Sequence, residues 1–203
     1  MKLLDLFCCC GGVSKGFHNK GWDCVGVDIT DNHQYPYQFY NWDVFDIPPT
    51  FFQQFDLIHA SPPCQHYFYG INQEHRNDFP DLIDKTRQLL LKTGKSLILE
   101  NIPNSPLRKD LILCGEMFGL RVIRHRIFEI HGFEVPQPEH KKHRPPIGKN
   151  KSYYAQVAGH GGQSYSFKME DHKNAMGIDW VDKKEHLTQM IPPKYAEYIA
   201  SNY

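Results

Sequence analysis

Cys64 stands in the pentapeptide SPPCQ, directly after the apolar run FDLIHA at residues 55–60. The apolar run predicts a buried strand, and a cysteine on the loop at the end of such a strand is placed as a nucleophile would be. The two prolines before it restrict the backbone and fix the direction of the sulfur. Because a lone cysteine is more often a buried structural residue, this motif alone does not decide the chemistry.

An acidic residue lies near the end of one apolar segment, and two arginines lie in a later segment. Glu100 closes the apolar run SLILENI at residues 96–102, and a partly buried carboxyl there could act as an acid near neutral pH. Arg124 and Arg126 alternate along RVIRHRIF, so in an extended segment both would point to one face, where they could bind a carbonyl or phosphates. The alternative is an exposed acid paired with a lysine and two surface arginines on an edge strand.

A glycine turn follows the first apolar run, residues 2–7, in the segment DLFCCCGGVSKGF. Glycines let the backbone approach a ligand closely, and Asp28, sixteen residues after Gly12, ends the next apolar run, CVGVDI. This pattern is typical of a nucleotide-like cofactor site, although an ordinary turn with a surface Asp would look the same. Since the turn does not fit G-x-G-x-x-G, a nicotinamide cofactor is disfavoured.

The elements that must position these groups alternate between strand and helix. Ser14 is predicted to cap a helix ending near Lys20, residues 79–93 predict a second helix with Pro80 in its first turn, and PPKYAEYIASNY predicts a closing helix. Residues 31–54 predict turns and short elements. Strands alternating with helices predict an α/β fold with a mostly parallel sheet covered by helices on both faces.

The character of the chain changes near residue 130, where prolines, histidines and glycines become frequent. We therefore expect a core over residues 1–130, a loop-rich insertion over 131–174, and a segment at 175–203 that completes the core. The 203 residues fit one domain with at most a small appendage. No membrane span or signal peptide is expected, which favours a cytoplasmic protein.

The six cysteines do not form a disulfide or zinc pattern. Three are consecutive, Cys8–Cys10, and adjacent residues of an extended run point in opposite directions, so they cannot readily share one metal. His140 and His143 could form half of a metal site, but no other Cys or His pair has a matching spacing. We expect reduced thiols, no metal, and a phosphate-facing loop around these histidines.

Charge gives a local rather than a global indication of nucleic acid. Lys plus Arg and Asp plus Glu both number 23, so the formal net charge is zero. The stretch 140–151, HKKHRPPIGKNK, nevertheless has five basic residues and no acid, and such a stretch can bind phosphates, although a solvated surface is the plainer interpretation. The residues predicted to contact DNA are Gln65, Lys141, Lys142, Arg144, Lys149 and Lys151.

Taken together and in this order, the motifs resemble those of the cytosine-C5 DNA methyltransferase family. DLFCCCGGVSKGF is similar to the first family motif, GWDCVGVDI to the second and NWDVFDI to the third. SPPCQ matches the catalytic Pro-Cys motif, ENI resembles Glu-Asn-Val, RHRIF matches Arg-x-Arg, and LTQMIPPKYAEYIA resembles the last motif. The resemblance covers residues 3–130 and about 175–200, and its compact form is similar to enzymes encoded by bacteriophages.

The resemblance implies a Rossmann-like S-adenosylmethionine-dependent methyltransferase fold and a reaction at C5 of cytosine in double-stranded DNA, with S-adenosylhomocysteine as product. It implies Cys64 as nucleophile, Glu100 at N3 of the base, Arg126 at O2 and Arg124 as a support. Phe7 would stack on the adenine, Asp28 would bind the ribose and Asp43 would lie near the adenine. The implied cofactor residues are Phe7, Cys8, Cys10, Gly11, Gly12, Asp28, Ile29, Asp43, Val44 and Pro63.

Several positions depart from the family pattern. Cys9 replaces a usual glycine of the first motif, Val122 replaces a usual Gln, and Thr188-Gln189-Met190 replaces Gly-Asn-Ser in the last motif. The alternatives therefore include a tRNA cytosine-C5 methyltransferase, against which the absent Cys-Phe-Thr tripeptide counts, and an inactive relative that binds nucleic acid. The short 131–174 segment predicts a short, degenerate target and salt-dependent binding. The sequence leaves the oligomeric state open, with a monomer among the options.

Overall fold

Seven strands form one sheet in the computed structural model, which describes residues 1–31, 33–70, 72–140, 142–143, 153–155, 157 and 167–203. The strand order is β3-β2-β1-β4-β5-β7-β6; β3 to β5 run parallel, and β7 is antiparallel to both β5 and β6. The strands are β1 (Lys2–Leu6), β2 (Asp23–Asp28), β3 (Gln38–Asn41), β4 (Leu57–Ala60), β5 (Ser96–Asn101), β6 (Leu111–Leu113) and β7 (Arg126–His131).

Six α-helices accompany the sheet in the described part of the chain, joined by short 3-10 segments. The helices are α1 (Gly12–His18), α2 (Pro49–Phe52), α3 (Ile83–Leu91), α4 (Met169–Met176), α5 (Lys184–Gln189) and α6 (Pro193–Ala200). None of the described helices combines the length and the apolar character that crossing a membrane requires.

The core lies on both faces of the sheet. Successive side chains of β1 alternate between them: Leu3 packs with Phe17 of α1 and Ile199 of α6, whereas Leu4 packs with Leu90 of α3. Since central parallel strands are buried on both sides, they are continuous apolar runs, as the sequence predicted. The predicted α/β class, with a mostly parallel sheet and helices on both faces, is confirmed.

Helices α1 and α6 pack closely because glycine leaves room between them. A Cβ on Gly12 would lie 2.2 Å from the carbonyl oxygen of Ile191, and one on Gly16 would lie 2.3 Å from that of Pro193. Backbone atoms cannot move aside cheaply, so a larger residue at either position would separate the two helices. The closing helix predicted from PPKYAEYIASNY is confirmed as α6, which has proline in its first turn.

Two predicted helix boundaries are wrong. Ser14 does not cap α1, because the helix begins at Gly12 after a left-handed Gly11 and the Ser14 hydroxyl binds Asp5 instead. The second helix begins at Ile83 rather than at residue 79, and its buried face carries Ile83, Thr86 and Leu90. A 3-10 segment, Gln73–Asp78, ends before Pro80, and residues 79–82 have no helical structure before α3 begins.

Candidate active site

The loop that carries Cys64 leaves the carboxyl end of β4. Cys64 is half-buried and begins a 3-10 turn over Gln65–Tyr67. The side-chain amide of Asn101, at the end of β5, donates a hydrogen bond of 2.8 Å to the carbonyl oxygen of Pro62. This bond joins the cysteine loop to the neighbouring strand, so the direction of the sulfur depends on two prolines and on Asn101.

Glu100 and Arg126 form a buried ion pair beside this loop. Because β7 runs antiparallel to β5, its first residue, Arg126, lies just beyond Asn101 at the same edge of the sheet. Arg126 Nε lies 3.0 Å from Glu100 Oε1, and the two side chains are 14% and 6% exposed. The contact lacks hydrogen-bond geometry, so within the described residues Glu100 Oε1 is a buried acceptor without a hydrogen-bond donor. Such an oxygen is costly unless a ligand supplies the donor.

Arg124 is buried and bonded to distant parts of the chain. Its guanidinium donates to the carbonyl oxygens of Val157, at 3.3 Å, and of Thr188 in α5. Its own carbonyl oxygen accepts a bond of 2.6 Å from the Tyr195 hydroxyl of α6. Burial, and secondly the charge of Arg126, lower the pKa of Arg124 to about 9, so it remains charged at neutral pH. Arg124 therefore braces the segment that leads into Arg126.

Opposing effects set the reactivity of Cys64. Burial raises the pKa of the Cys64 thiol, the charge of Arg126 lowers it, Glu100 raises it and Arg124 lowers it again, with a net rise. The free thiol is therefore mainly protonated near neutral pH, and the two arginines supply the positive charge that favours the thiolate.

The turn after β1 has an unusual backbone. Phe7 and Cys9 have positive φ angles of 55° and 46°, in the left-handed region that favours glycine. The Cys9 amide donates to Asp28 Oδ2 at 3.0 Å, and the Thr30 amide donates to Asp28 Oδ1 at 2.9 Å. Asp28 therefore holds the glycine turn against the end of β2, and each carboxylate oxygen keeps lone-pair capacity for a further donor.

The remaining predicted cofactor residues occupy the same edge of the sheet or the segments that follow it. Cys8, Cys10, Gly11 and Gly12 lie in or directly after the turn that follows β1, and Pro63 lies in the cysteine loop. Ile29 follows β2 and is 69% exposed. Asp43 caps the 3-10 segment Val44–Asp46 by accepting a bond from the Phe45 amide, whereas Val44 is buried in the core.

Of the predicted DNA-contacting residues, Gln65 is exposed directly after Cys64, and Lys142 is exposed beyond β7. The other four, Lys141, Arg144, Lys149 and Lys151, lie outside the described residues. The predicted groups on β1, β2, β4, β5 and β7 thus meet at one edge of the sheet, as ligand-binding residues of open α/β sheets do.

Comparison with known proteins identifies the family of this site. The family model described as C-5 cytosine-specific DNA methylase matches residues 1–109, more than half of the chain. The chain belongs to the C-5 cytosine-specific DNA methylase family. The cysteine loop, Glu100 and the turn after β1 all fall within the matched residues, whereas the two arginines follow them.

Two relatives carry names that are consistent with this family. A protein of Frog virus 3 (isolate Goorha) named as a DNA (cytosine-5)-methyltransferase is 38% identical over 69 residues, 33% of this chain and 30% of its own length. A protein of Methanocaldococcus jannaschii named as a type II methyltransferase is 32% identical over 154 residues, 63% of this chain and 48% of its own. The chain therefore spans less than half of the length of each of these two relatives, 30% and 48%.

Solved structures confirm the Rossmann-like methyltransferase fold. The chain is similar to Spodoptera frugiperda DNMT2, with a TM-score of 0.64 at 14% identity over 98% of both chains. It is also similar to Entamoeba histolytica EhMeth, with a TM-score of 0.67 at 13% identity over 100% of this chain and 97% of the other. The S. pombe Dnmt2 methyltransferase gives a TM-score of 0.66 at 14% identity over 99% of this chain and 97% of the other.

Sequence reasoning overlooked a buried polar network behind the site of this methylase. Asp5, within β1, accepts hydrogen bonds from the Ser14 amide at 3.2 Å and from His59 Nδ1 at 2.8 Å. The Ser14 hydroxyl also lies 2.7 Å from the Tyr35 hydroxyl, and Ser61 Oγ lies 3.3 Å from His59 Nε2. An acid inside the apolar run KLLDLF was the available signal, because a buried carboxyl requires partners.

Proposed function

We propose that this chain transfers a methyl group from S-adenosylmethionine to C5 of cytosine in double-stranded DNA, through a covalent bond between Cys64 and C6. The observation that carries the proposal is the buried Glu100 oxygen that has a positive charge beside it but no hydrogen-bond donor. A protonated ring nitrogen of a base would supply that donor. Membership of the methylase family supports the same chemistry.

The reaction follows from the chain's own groups. The Cys64 thiolate adds to C6 of cytosine, and the electron pair of the C5–C6 bond moves toward C5, which becomes nucleophilic. Glu100 protonates or holds N3, so the charge that develops on the ring is neutralised. Arg126, which Glu100 orients, binds the O2 carbonyl. After methyl transfer a base removes the C5 proton, the C5–C6 double bond re-forms and Cys64 leaves as the thiolate.

The cofactor side of the site fits S-adenosylmethionine, which supplies an electrophilic methyl group. The spare lone pairs of Asp28 suit two ribose hydroxyls, and the exposed apolar side chain of Ile29 at the end of β2 suits the flat face of an adenine. Phe7 is expected on the opposite face of that ring. Cys8, Cys10, Gly11, Gly12, Asp43, Val44 and Pro63 complete the proposed cofactor site, and Gln65 and the basic residues after His140 would contact DNA.

A covalent trap tests the proposal. Fluorine at C5 cannot leave as a cation, so random-sequence duplex DNA containing 5-fluorocytosine should stay bonded to Cys64 when S-adenosylmethionine is present. We expect a complex that survives denaturing electrophoresis in the wild-type chain and in Cys24→Ser, which changes a buried cysteine of β2. Cys64→Ser should abolish it, because a serine hydroxyl is far less nucleophilic than a thiolate.

Three outcomes would count against the proposal. An adduct that persists in Cys64→Ser would exclude Cys64 as the nucleophile. A wild-type chain that binds both DNA and cofactor yet forms no adduct would be an inactive relative that binds nucleic acid. Trapping of 5-fluorocytosine tRNA in preference to the duplex would assign the same chemistry to tRNA. In a duplex, the target cytosine must flip out of the helix to react, because its reacting atoms otherwise lie inside the base stack.

A further inference from the structure

Four potential metal ligands converge at the start of β7. They are Cys114, His125, His140 and His143, and the ligand atom that each offers lies within 4.8 Å of every other. Cys114 follows β6, His125 stands between the two arginines of the site, and the other two histidines follow β7. The spacing of His140 and His143 allowed half of a metal site, but the sequence favoured a phosphate-facing loop there and no metal. Cys114 and His125 are not spaced in the sequence as a ligand pair would be, so only folding brings them to the histidine pair.

The three histidine rings of the cluster are in contact with one another. The ring centroids of His125, His140 and His143 lie 4.8 to 5.2 Å from one another. Within the described residues, His143 Nε2 is buried and has no hydrogen-bond partner. A buried polar atom of this kind costs free energy unless a ligand occupies it.

The surroundings orient these groups as metal ligands. His143 Nδ1 donates a hydrogen bond of 2.8 Å to Glu116 Oε2, which leaves Nε2 as the free lone pair. A carboxylate behind a histidine in this way fixes the ring and raises its basicity toward a metal. The buried Cys114 sulfur accepts a hydrogen bond from the Met117 amide.

We propose that Cys114, His125, His140 and His143 bind one Zn²⁺ ion in a closed structural site. One thiolate and three imidazoles are the soft and borderline ligands that zinc prefers, and bonds of about 2.1 to 2.3 Å put tetrahedral ligand atoms roughly 3.5 Å apart, a small contraction from the present spacing. Four protein ligands leave no open position for water, so the ion is structural.

The site would connect the catalytic core to the segment that follows it. His125 lies between Arg124 and Arg126, and the Arg126 guanidinium donates to the His125 carbonyl oxygen at 2.8 Å. His140 and His143 flank the first lysines of the basic stretch. A bound ion would therefore hold the Arg-x-Arg segment and the start of the basic stretch at one fixed point.

Metal content of the full chain tests the proposal directly. The wild-type chain, stripped with a chelator and dialysed against limiting Zn²⁺, should retain about one ion per chain. His140→Ala removes an exposed ligand, so folding should survive while zinc affinity falls by at least tenfold. Glu116→Gln should weaken zinc about 10- to 100-fold without removing a ligand. His33→Ala, at an exposed histidine outside the cluster, is the matched control and should retain zinc.

Cobalt gives a second measurement that identifies the ligands. Co²⁺ in the wild-type chain should produce intense visible bands of tetrahedral geometry and a near-ultraviolet thiolate charge-transfer band. Cys114→Ser should lose the charge-transfer band, and His140→Ala should weaken the visible bands. The proposal is overturned if the wild-type chain retains no more zinc than His140→Ala, or if its cobalt spectrum has no thiolate band. Neither measurement depends on methyl transfer, so the zinc proposal is tested independently of the function proposed above.

Discussion

The two halves of the sheet edge hold their groups in different ways. In the catalytic half, at the ends of β4 and β5 and the start of β7, the groups are side chains fixed by other side chains, as in the pair Glu100–Arg126. In the cofactor half, at the ends of β1 and β2, the important feature is backbone, held at positive φ by Asp28. The side chains of the catalytic half place charges in the site, whereas the backbone of the cofactor half shapes the surface that would bind the cofactor. Damage to one half should therefore leave the task of the other nearly intact.

The largest effect is expected from Glu100→Gln. Loss of the acid at N3 should lower kcat for methyl transfer by about 10²- to 10⁴-fold, while calorimetry should give an unchanged Kd for S-adenosylmethionine. Glu129→Gln is the matched control, because Glu129 is also a buried carboxylate paired with an arginine, Arg87. That variant should lose stability and keep kcat. A Glu100→Gln variant with full activity would remove Glu100 from the reaction.

Asp28→Ala should produce the reciprocal result. Removing a charged hydrogen-bond acceptor costs about 1.5–3 kcal/mol, so the Kd for S-adenosylmethionine should rise roughly ten- to a hundredfold. At saturating cofactor, kcat should change little. Asp31→Ala, an exposed acid in the next loop, should leave the Kd as it is. If Asp28→Ala lowers kcat and spares the Kd, the division between the two halves is wrong.

The pH dependence of Cys64 alkylation sharpens the comparison. Because burial raises the pKa of the thiol, the thiolate fraction and the alkylation rate should increase about tenfold for each pH unit below that pKa. Arg126 opposes the rise, so Arg126→Gln should slow alkylation at every pH near neutrality. Asp28→Ala should leave the profile of Cys64 unmoved. Mass spectrometry of the Cys64 peptide separates this thiol from the other five.

The smallest effect belongs to Cys9→Gly. A left-handed non-glycine residue costs about 1–2 kcal/mol, part of which glycine returns as flexibility of the unfolded chain, so the variant should gain up to about 1 kcal/mol in urea unfolding. The buried neighbour Cys10 has no positive φ, so Cys10→Gly should lose stability. Equal losses in both variants would mean that the Cys9 side chain, 3.7 Å from Gln189 Oε1, contributes more than its strain.

Much of the fold was predictable because its signals are local. The central strands are continuous apolar runs, and the cysteine loop follows one of them. Long-range contacts carried no such signal. The bonds from Arg124 to the carbonyls of Val157 and Thr188, and the pairing of Asp5 with His59, join residues far apart in the chain. No periodicity encodes them, so roles that depend on them had to come from the folded chain.

The cofactor half and the catalytic half also differ in where their residues lie along the chain. Residues 1–109 match the family model and contain the cofactor half and most of the catalytic half, whereas the arginines and their braces come later. The site thus combines a contiguous motif series with supports whose sequence departs from the family pattern, such as Thr188 and Gln189.

The close packing of α1 against α6 has a consequence for how the protein is made. Helix α1 leaves the ribosome early, but the backbone that fills the space beside Gly12 and Gly16 belongs to Ile191 and Pro193, which are synthesised far later. Until then the apolar face around Phe17 lacks its cover. Contacts of such high sequence separation slow folding, and an uncovered apolar face during synthesis is a surface that chaperones bind.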